Sequence, residues 1–111
     1  MPFVVRFKPL AQAEAAEAFA WYAQPHIKMG DVFLVELEHT SGFLSRNPYL
    51  YAKAEGDMRC AHLNRFPYSL FYVVDGETVN VLSCFHQYRD PKSRSDLIEW
   101  HGQKTTGPTI A

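Results

Sequence analysis

The chain has 111 residues, of which 47% are hydrophobic, and its formal net charge is −1. This is the length of one ordinary domain with enough apolar side chains for one core, and the near-neutral charge argues against a strongly basic nucleic-acid-binding protein. No apolar stretch approaches the roughly 20 residues of a membrane span, and the N-terminus lacks the basic-then-apolar layout of a signal peptide. We therefore expect one cytoplasmic domain that makes no contact with a membrane.

The first two predicted elements are a strand and a helix. Apolar side chains recur at every second position from Phe3 to Phe7, which is the period of a strand with one buried face. Residues 10–24 are rich in Ala, Glu and Gln, which predicts a helix that Pro25 stops. Trp21 falls at the edge of the apolar face of this helix. It is therefore either a lid over the core or a contact for a partner.

A second helix is predicted over residues 29–45. Apolar side chains recur there at helical spacing, and Asn47-Pro48 marks the exit. The connection between the two helices is short, so they are expected to form an antiparallel hairpin that covers one face of a sheet. Leu34 extends the apolar surface beyond a single stripe, either as more core or as a docking face.

The remaining predicted elements are strands. Residues 49–55 are irregular or a ragged strand, and residues 59–66, 68–74 and 78–85 have strand patterns. The sequence Asp75-Gly76-Glu77 predicts a tight hairpin between the last two. The fold class is therefore α+β: an N-terminal strand, a helical hairpin and a three-stranded antiparallel meander in one sheet. The domain is expected to span residues 1–100, followed by a flexible tail at 101–111.

Groups that carry chemistry are concentrated where the last strand ends. A hairpin loop of two to four residues places His86 across from residues 65–67, so Arg65, His86 and Arg89 are expected at one rim of the sheet. A structural interpretation also stands: His86 caps the strand end and Tyr88 seals the core.

Other classes of site have little support in the sequence. Cys60 and Cys84 have no CxxC spacing and are predicted to be buried thiols. The histidines at 39, 62 and 101 lie in different elements, and no cluster has the spacing of metal ligands. There is no glycine-rich phosphate loop. No metal or cofactor is therefore predicted.

The order of elements, together with several short motifs, resembles the ParE/RelE-type toxins of bacterial type II toxin–antitoxin systems, often called plasmid stabilisation proteins. The resemblance covers roughly residues 3–94. It rests on the opening strand to Pro9, Trp21-Tyr22, Gly30 with Phe33, Pro48, Arg59, Phe66-Pro67-Tyr68 with Tyr72, and His86 followed by Arg89-Asp90-Pro91.

This resemblance implies a small toxin that a cognate antitoxin neutralises by laying a segment across its helices and sheet. It also implies one of two activities, because ParE-like members block DNA gyrase whereas RelE-like members cleave messenger RNA on the ribosome. Fold alone does not choose between them. The expected antitoxin contacts are Trp21, Leu34 and Tyr68, beside an uncovered sheet edge. The oligomeric state is left open, with a homodimer as one option.

If the chain is a ribonuclease, it needs a base for the 2′-hydroxyl, cations for the phosphorane charge and a stacking or acidic group. These roles are assigned to His86 as base, to Tyr88 as stacking group or acid, and to three arginines as the cationic clamp: Arg59, Arg65 and Arg89.

The sequence departs from the RelE pattern at two places. Ser69 stands where the central strand of RelE-like enzymes has an arginine, and no tyrosine follows Pro91. These departures and the low positive charge favour the ParE-like activity. The ribonuclease is the alternative, and a relic that binds an antitoxin without being toxic is a third reading.

Overall fold

The computed structural model describes residues 2–88, so Arg89 and the predicted tail at 101–111 lie outside the described residues. The elements, in chain order, are β1 Val4–Phe7, α1 Pro9–Tyr22, α2 Gly30–Arg46, β2 Lys53–Glu55, β3 Met58–His62, β4 Tyr68–Asp75 and β5 Thr78–His86. The two predicted helices and all four predicted strand patterns are present, with ends that differ by up to four residues.

All five strands form one sheet in the order β1-β5-β4-β3-β2. β1 pairs with β5 in parallel, and the other neighbours are antiparallel, so the sheet is mixed. The predicted α+β class and single sheet are confirmed. The predicted meander of three strands gains a fourth member, because part of the irregular segment at 49–55 forms the short strand β2 with a register shift between Lys53 and Glu55.

Proline and glycine fix the geometry of the helical hairpin. Pro9 is the first residue of α1, where its fixed φ suits the helix and its missing N–H leaves no intrahelical bond unmade. Gly30 begins α2 and is buried against α1: a Cβ at this position would lie 3.0 Å from the Cβ of Ala23 and from a ring carbon of Phe19. The absence of a side chain at Gly30 therefore allows the two helices to approach closely at this end.

The sheet has apolar clusters on both faces. The larger cluster lies between the sheet and the helices and includes Phe33, Leu44, Leu70 and Tyr72. The members of the second cluster all come from strands: Met58, Phe71, Val73, Leu82 and Phe85, with Cys60 beside them. Successive residues of β4 point to opposite faces of the sheet, and both faces are buried. This explains why the sequence of β4 is almost continuously apolar.

The hairpin between β4 and β5 has a two-residue loop, with Gly76 at φ 63° between the paired residues Asp75 and Thr78. The pairing shifts by one residue between Phe71 and Tyr72. This bulge places His86 opposite Tyr68 and corrects the expected position opposite residues 65–67 by one residue. Without the extra residue, a two-residue loop would align His86 with position 67.

Within residues 2–88, neither helix combines the length and the apolar character that crossing a lipid bilayer requires.

Candidate functional site

His86 and Tyr88 are the two predicted catalytic residues that the structure places together. The ring of His86 lies 5.0 Å from that of Tyr68 and 5.7 Å from that of Tyr88, measured between centroids. The backbone N–H of Tyr88 donates to Nδ1 of His86 at 3.2 Å. The neutral imidazole therefore carries its proton on Nε2. In this arrangement neither ring nitrogen offers a free lone pair to a 2′-hydroxyl.

Arg59 lies elsewhere on the sheet and contacts the loop before β2. It is paired with Tyr72, four positions along β4 from Tyr68, which corresponds to about 13 Å. Its guanidinium donates to the carbonyl oxygens of Tyr51 at 2.6 Å and Tyr49 at 3.4 Å, and it lies 5.2 Å from the centre of the Tyr49 ring. In this structure the Arg59 guanidinium holds a loop and does not point toward His86.

Arg65 is an exposed residue of the loop between β3 and β4. Two hydrogen bonds fix the residues next to it: the N–H of Asn64 donates to the carboxylate of Glu36 at 3.0 Å, and the N–H of Leu63 donates to the carbonyl of Tyr68 at 2.9 Å. The loop therefore sits against α2, with the Arg65 side chain turned toward solvent.

Tyr72 anchors the loop that Arg59 also holds. Its ring is fully buried, and its hydroxyl donates to the carbonyl oxygen of Pro48 at 2.6 Å. Burial raises the pKa of Tyr72 to about 12, although the nearby charge of Arg59 acts in the opposite direction. A buried phenol and a guanidinium thus fix residues 48–51 from two sides.

A polar cluster lies at the end of the sheet that carries His86, and it was not predicted. The hydroxyl of Ser69 lies 2.5 Å from Nδ1 of His62, and the side-chain N–H of Gln87 approaches the same nitrogen at 3.3 Å. Nδ1 of His62 therefore lies within hydrogen-bonding distance of two polar side chains. His62 lies on β3 and Ser69 on β4, and the two residues are directly paired across these strands. The sequence shows two strands here, but it does not show which residue of one strand pairs with which residue of the other.

The sheet has two edges, β1 and β2, and groups of the helical hairpin cap part of the β1 edge. Ser45 accepts the N–H of Phe3 through its carbonyl at 2.8 Å and donates its hydroxyl to the carbonyl of Phe3 at 2.7 Å. At the other end of the strand, the amide of Gln12 donates to the carbonyl of Phe7 at 2.9 Å. Between these two capped residues, only Val5 directs its backbone N–H and carbonyl away from β5. This leaves too short a stretch of β1 to pair with another strand.

A carboxylate caps the part of β5 that β1 does not reach. The pairing with β1 ends at Val81. Beyond it, one carboxylate oxygen of Glu14 accepts the hydroxyl of Ser83 at 2.6 Å and the N–H of Cys84 at 3.0 Å. Groups of the helical hairpin therefore occupy hydrogen-bonding positions at both ends of β1 and at Cys84 on this side of the sheet.

The three expected partner contacts differ in exposure. Trp21 is 59% exposed and Leu34 is 40% exposed, so both can contact another protein. The exposure of Trp21 corrects its alternative interpretation as a lid over the core. Tyr68 is only 6% exposed and packs against Tyr22 and Phe33, so its ring is not available as a surface contact in this structure.

Among residues 2–88, no group of three or more His, Cys, Asp or Glu side chains is arranged to hold a metal ion.

Comparison with known proteins gives structural neighbours and no sequence relatives. No protein-family model and no curated protein matches the chain. A chain of a chromosomal ParDE toxin–antitoxin system from P. aeruginosa superposes with a TM-score of 0.65 at 16% identity, covering 76% of this chain and 95% of that one. A chain of the toxin–antitoxin complex RelBE2 from Mycobacterium tuberculosis gives 0.55 at 23% identity, covering 78% and 99%. These matches confirm the ParE/RelE-type fold that the resemblance implied.

Proposed function

We propose that this protein is the toxin of a bacterial type II toxin–antitoxin system, that it acts in the cytoplasm in the ParE-like manner by blocking a macromolecular target such as DNA gyrase, and that a cognate antitoxin neutralises it. The observation that carries this proposal is the fold shared with a chain of a ParDE system over 95% of that chain's length. A fold shared at such low identity supports the class of protein, and the choice of target must rest on the residues.

The geometry of the candidate catalytic residues supports the ParE-like alternative. Nδ1 of His86 accepts a backbone N–H, and the guanidinium of Arg59 is bound to two carbonyl groups of a loop. A general base must reach the proton that it removes, and a cationic clamp must face the same phosphate. Both residues are bonded to backbone groups of the protein itself as they stand, whereas blocking a target requires no catalytic group.

The test is expression of the chain in bacteria, with growth and DNA supercoiling as measurements. We expect expression to arrest growth, the adjacent gene to restore it when co-expressed, and purified protein to inhibit gyrase in a supercoiling assay. His86→Ala should retain both effects, with His39→Ala on the exposed side of α2 as the control for loss of an imidazole. Gyrase that is unaffected by micromolar protein would contradict the ParE-like target.

The ribonuclease remains the second candidate because one observation favours it. Two histidines, His62 and His86, lie at the same end of the sheet, close to Gln87 and Tyr88. If the chain cleaves messenger RNA, transcripts should be cut when it is expressed, and His86→Ala should abolish both cleavage and growth arrest. A chain that binds the antitoxin but neither arrests growth nor cuts transcripts would be the relic.

A further inference from the structure

The loop that joins α2 to β2 exposes two large apolar side chains next to each other. Leu50 is 70% exposed and Tyr49 is 60% exposed, and no Leu, Ile, Val or Met side chain of residues 2–88 is more exposed than Leu50. Surface loops are normally built from polar and turn-forming residues. Neighbouring exposed apolar side chains, unlike single ones, are a feature of surfaces that contact another molecule.

The backbone of this loop is firmly held by the rest of the domain. The buried hydroxyl of Tyr72 donates to the carbonyl of Pro48 at 2.6 Å, and the Arg59 guanidinium donates to two further carbonyl groups of the loop. Within the turn, the N–H of Leu50 donates to the carbonyl of Asn47 at 3.3 Å. A loop that is already ordered loses little conformational entropy when a partner covers it. Leu50 is therefore presented to solvent in a fixed position.

The surroundings of Tyr49 favour a protein over a nucleic acid as the partner. The Arg59 guanidinium lies 5.2 Å from the centre of the Tyr49 ring, and the ring of Phe3 meets it edge-on at 5.9 Å. Binding of single-stranded nucleic acid usually depends on aromatic rings that are free to stack on bases. Here the ring has two neighbours already, and the more exposed residue, Leu50, is aliphatic. An aliphatic side chain fits an apolar pocket of a protein.

The charge at this loop is positive. Residues 46–53 contain two cations, Arg46 and Lys53, and no carboxylate. Lys53 is paired with Asp57 at 3.4 Å, whereas the exposed Arg46 makes no ion pair with any of residues 2–88. A carboxylate of the partner is therefore favoured next to Arg46, and a second copy of the same loop is disfavoured because it would bring like charges together.

The loop is distant from the exposed Trp21. Trp21 lies in the last turn of α1, at the end of the hairpin where Gly30 packs against Ala23. The loop follows Arg46 at the other end of α2, and the 17 residues of this helix span about 25 Å. The two surfaces are therefore separate, as expected of a protein that binds a target as well as a neutralising partner.

We propose that residues 46–50 are the surface through which the protein binds its target, with Leu50 in an apolar pocket of the target protein and Arg46 beside a carboxylate at the rim of that pocket. A central apolar anchor with a charged group at the rim is the usual arrangement of a protein–protein contact. This inference rests on the proposed function for the existence of a target and adds the surface that binds it.

The first test compares variants as inhibitors of supercoiling by purified DNA gyrase. Leu50→Glu should require at least about 30-fold more protein for half-inhibition, as for loss of a central interface side chain. Val35→Glu introduces the same group at a 64% exposed position of α2 and should inhibit like the wild type. Urea unfolding should show equal stability for both variants. Inhibition by Leu50→Glu that equals that of the wild type would overturn the proposal.

A second pair of variants tests the charge. Arg46→Glu should weaken inhibition about fivefold at low salt, and added salt should narrow this difference. Lys28→Glu makes the same charge reversal at an exposed position before α2 and should have no effect. A loss that Lys28→Glu shares would show that net charge matters rather than the position of Arg46, and would contradict the proposed contact.

Other occupants of the loop are distinguished by binding measurements on Leu50→Glu. We expect this variant to match the wild type in sedimentation, in gel-shift assays with DNA and RNA fragments, and in co-purification with the product of the adjacent gene. A dimer that the variant disrupts would show that a second copy covers the loop. Loss of nucleic-acid binding, or of the adjacent gene's product, would likewise overturn the assignment to a target protein.

Growth assays separate failure of this inference from failure of the proposed function. If the wild type and Val35→Glu arrest growth, Leu50→Glu does not, and gyrase is unaffected by the wild type, the gyrase target is contradicted and the loop contact is supported. If all three chains arrest growth and inhibit gyrase equally, the function is supported and the loop contact is contradicted. A wild-type chain that does not arrest growth contradicts both.

Discussion

The loop of residues 48–51 should depend on a hydroxyl that resists ionisation. Tyr72→Phe removes the buried hydroxyl that donates to the carbonyl of Pro48. Pro48 is itself buried, so its carbonyl loses a partner that water does not readily replace. We expect the variant to lose about 1–3 kcal/mol of the free energy of unfolding near neutral pH, the range for a buried group left without its hydrogen bond.

The same hydroxyl should make stability depend on alkaline pH. The folded pKa of Tyr72 is raised from 10.0 to about 12, so the folded state holds this proton more tightly than the unfolded state does. The stabilisation is complete below pH 10 and is lost as the pH rises toward 12. At about pH 11 the ratio of ionised to neutral phenol is about 10 to 1 in the unfolded state and about 1 to 10 in the folded state. The loss at that pH is about 1.4 kcal/mol.

Urea unfolding at about pH 8 and about pH 11 measures this effect. The difference in stability between wild type and Tyr72→Phe should shrink by about 1.4 kcal/mol between the two conditions, because only the wild type has the buried phenol. Taking this difference removes the contribution of the other titrating groups. Tyr49→Phe, at an exposed position, controls for removing a phenol from the chain. A difference that stays constant with pH would refute the assignment of the raised pKa to this hydroxyl.

Two further predictions concern α1 and its neighbours. Glu14→Ala should lower the free energy of unfolding in urea by about 2–3 kcal/mol, because it removes a charged acceptor from two donors of β5. Glu14→Gln keeps an acceptor oxygen and should lose less. Equal losses in the two variants would show that the acceptor oxygen is unimportant. Gly30→Ala should lower the melting temperature, corresponding to about 1–3 kcal/mol, because its methyl group would lie 3.0 Å from Ala23. Gly42→Ala, whose nearest neighbour is a flexible arginine end at 3.6 Å, should instead gain about 0.5–1 kcal/mol; a loss at Gly42 as large as at Gly30 would contradict the packing argument.

The fold was largely predictable because its local signals agree with one another. Pro9 and Pro25 bracket the region of α1, and the Asp75-Gly76-Glu77 motif fixes the last hairpin. The parallel pairing of β1 with β5 was not predicted. It joins the first and the last strand of residues 2–88, and no local pattern specifies which edge of a sheet a first strand will select.

The candidate site was less predictable, because it depends on strand register and on which of several possible partners each side chain binds. The β4–β5 bulge moves His86 by one position, and nothing in the apolar run of either strand marks it. The charge of Arg59 favours a phosphate clamp, but a guanidinium also binds backbone carbonyls, and the loop at Tyr49 and Tyr51 supplies them. Side-chain chemistry limits what a residue can bind, whereas tertiary contacts decide which of its possible partners it binds.

α1 both packs on the sheet and caps backbone groups at the edge of the sheet. Its inner face packs against the sheet through Ala11 and Ala18, and Gln12 and Glu14 cap backbone groups of β1 and β5. Its outer face carries the exposed alanines Ala13, Ala16 and Ala20. Because alanine is small and the best helix former, the helix can pack closely on two sides while its few polar side chains bind the sheet edge. Replacing Ala13, Ala16 and Ala20 with Lys should therefore change the free energy of unfolding in urea by no more than about 0.5 kcal/mol per residue, whereas Ala18→Lys on the inner face should unfold the domain. An equal loss from the exposed and the buried positions would contradict this division of the helix into two faces.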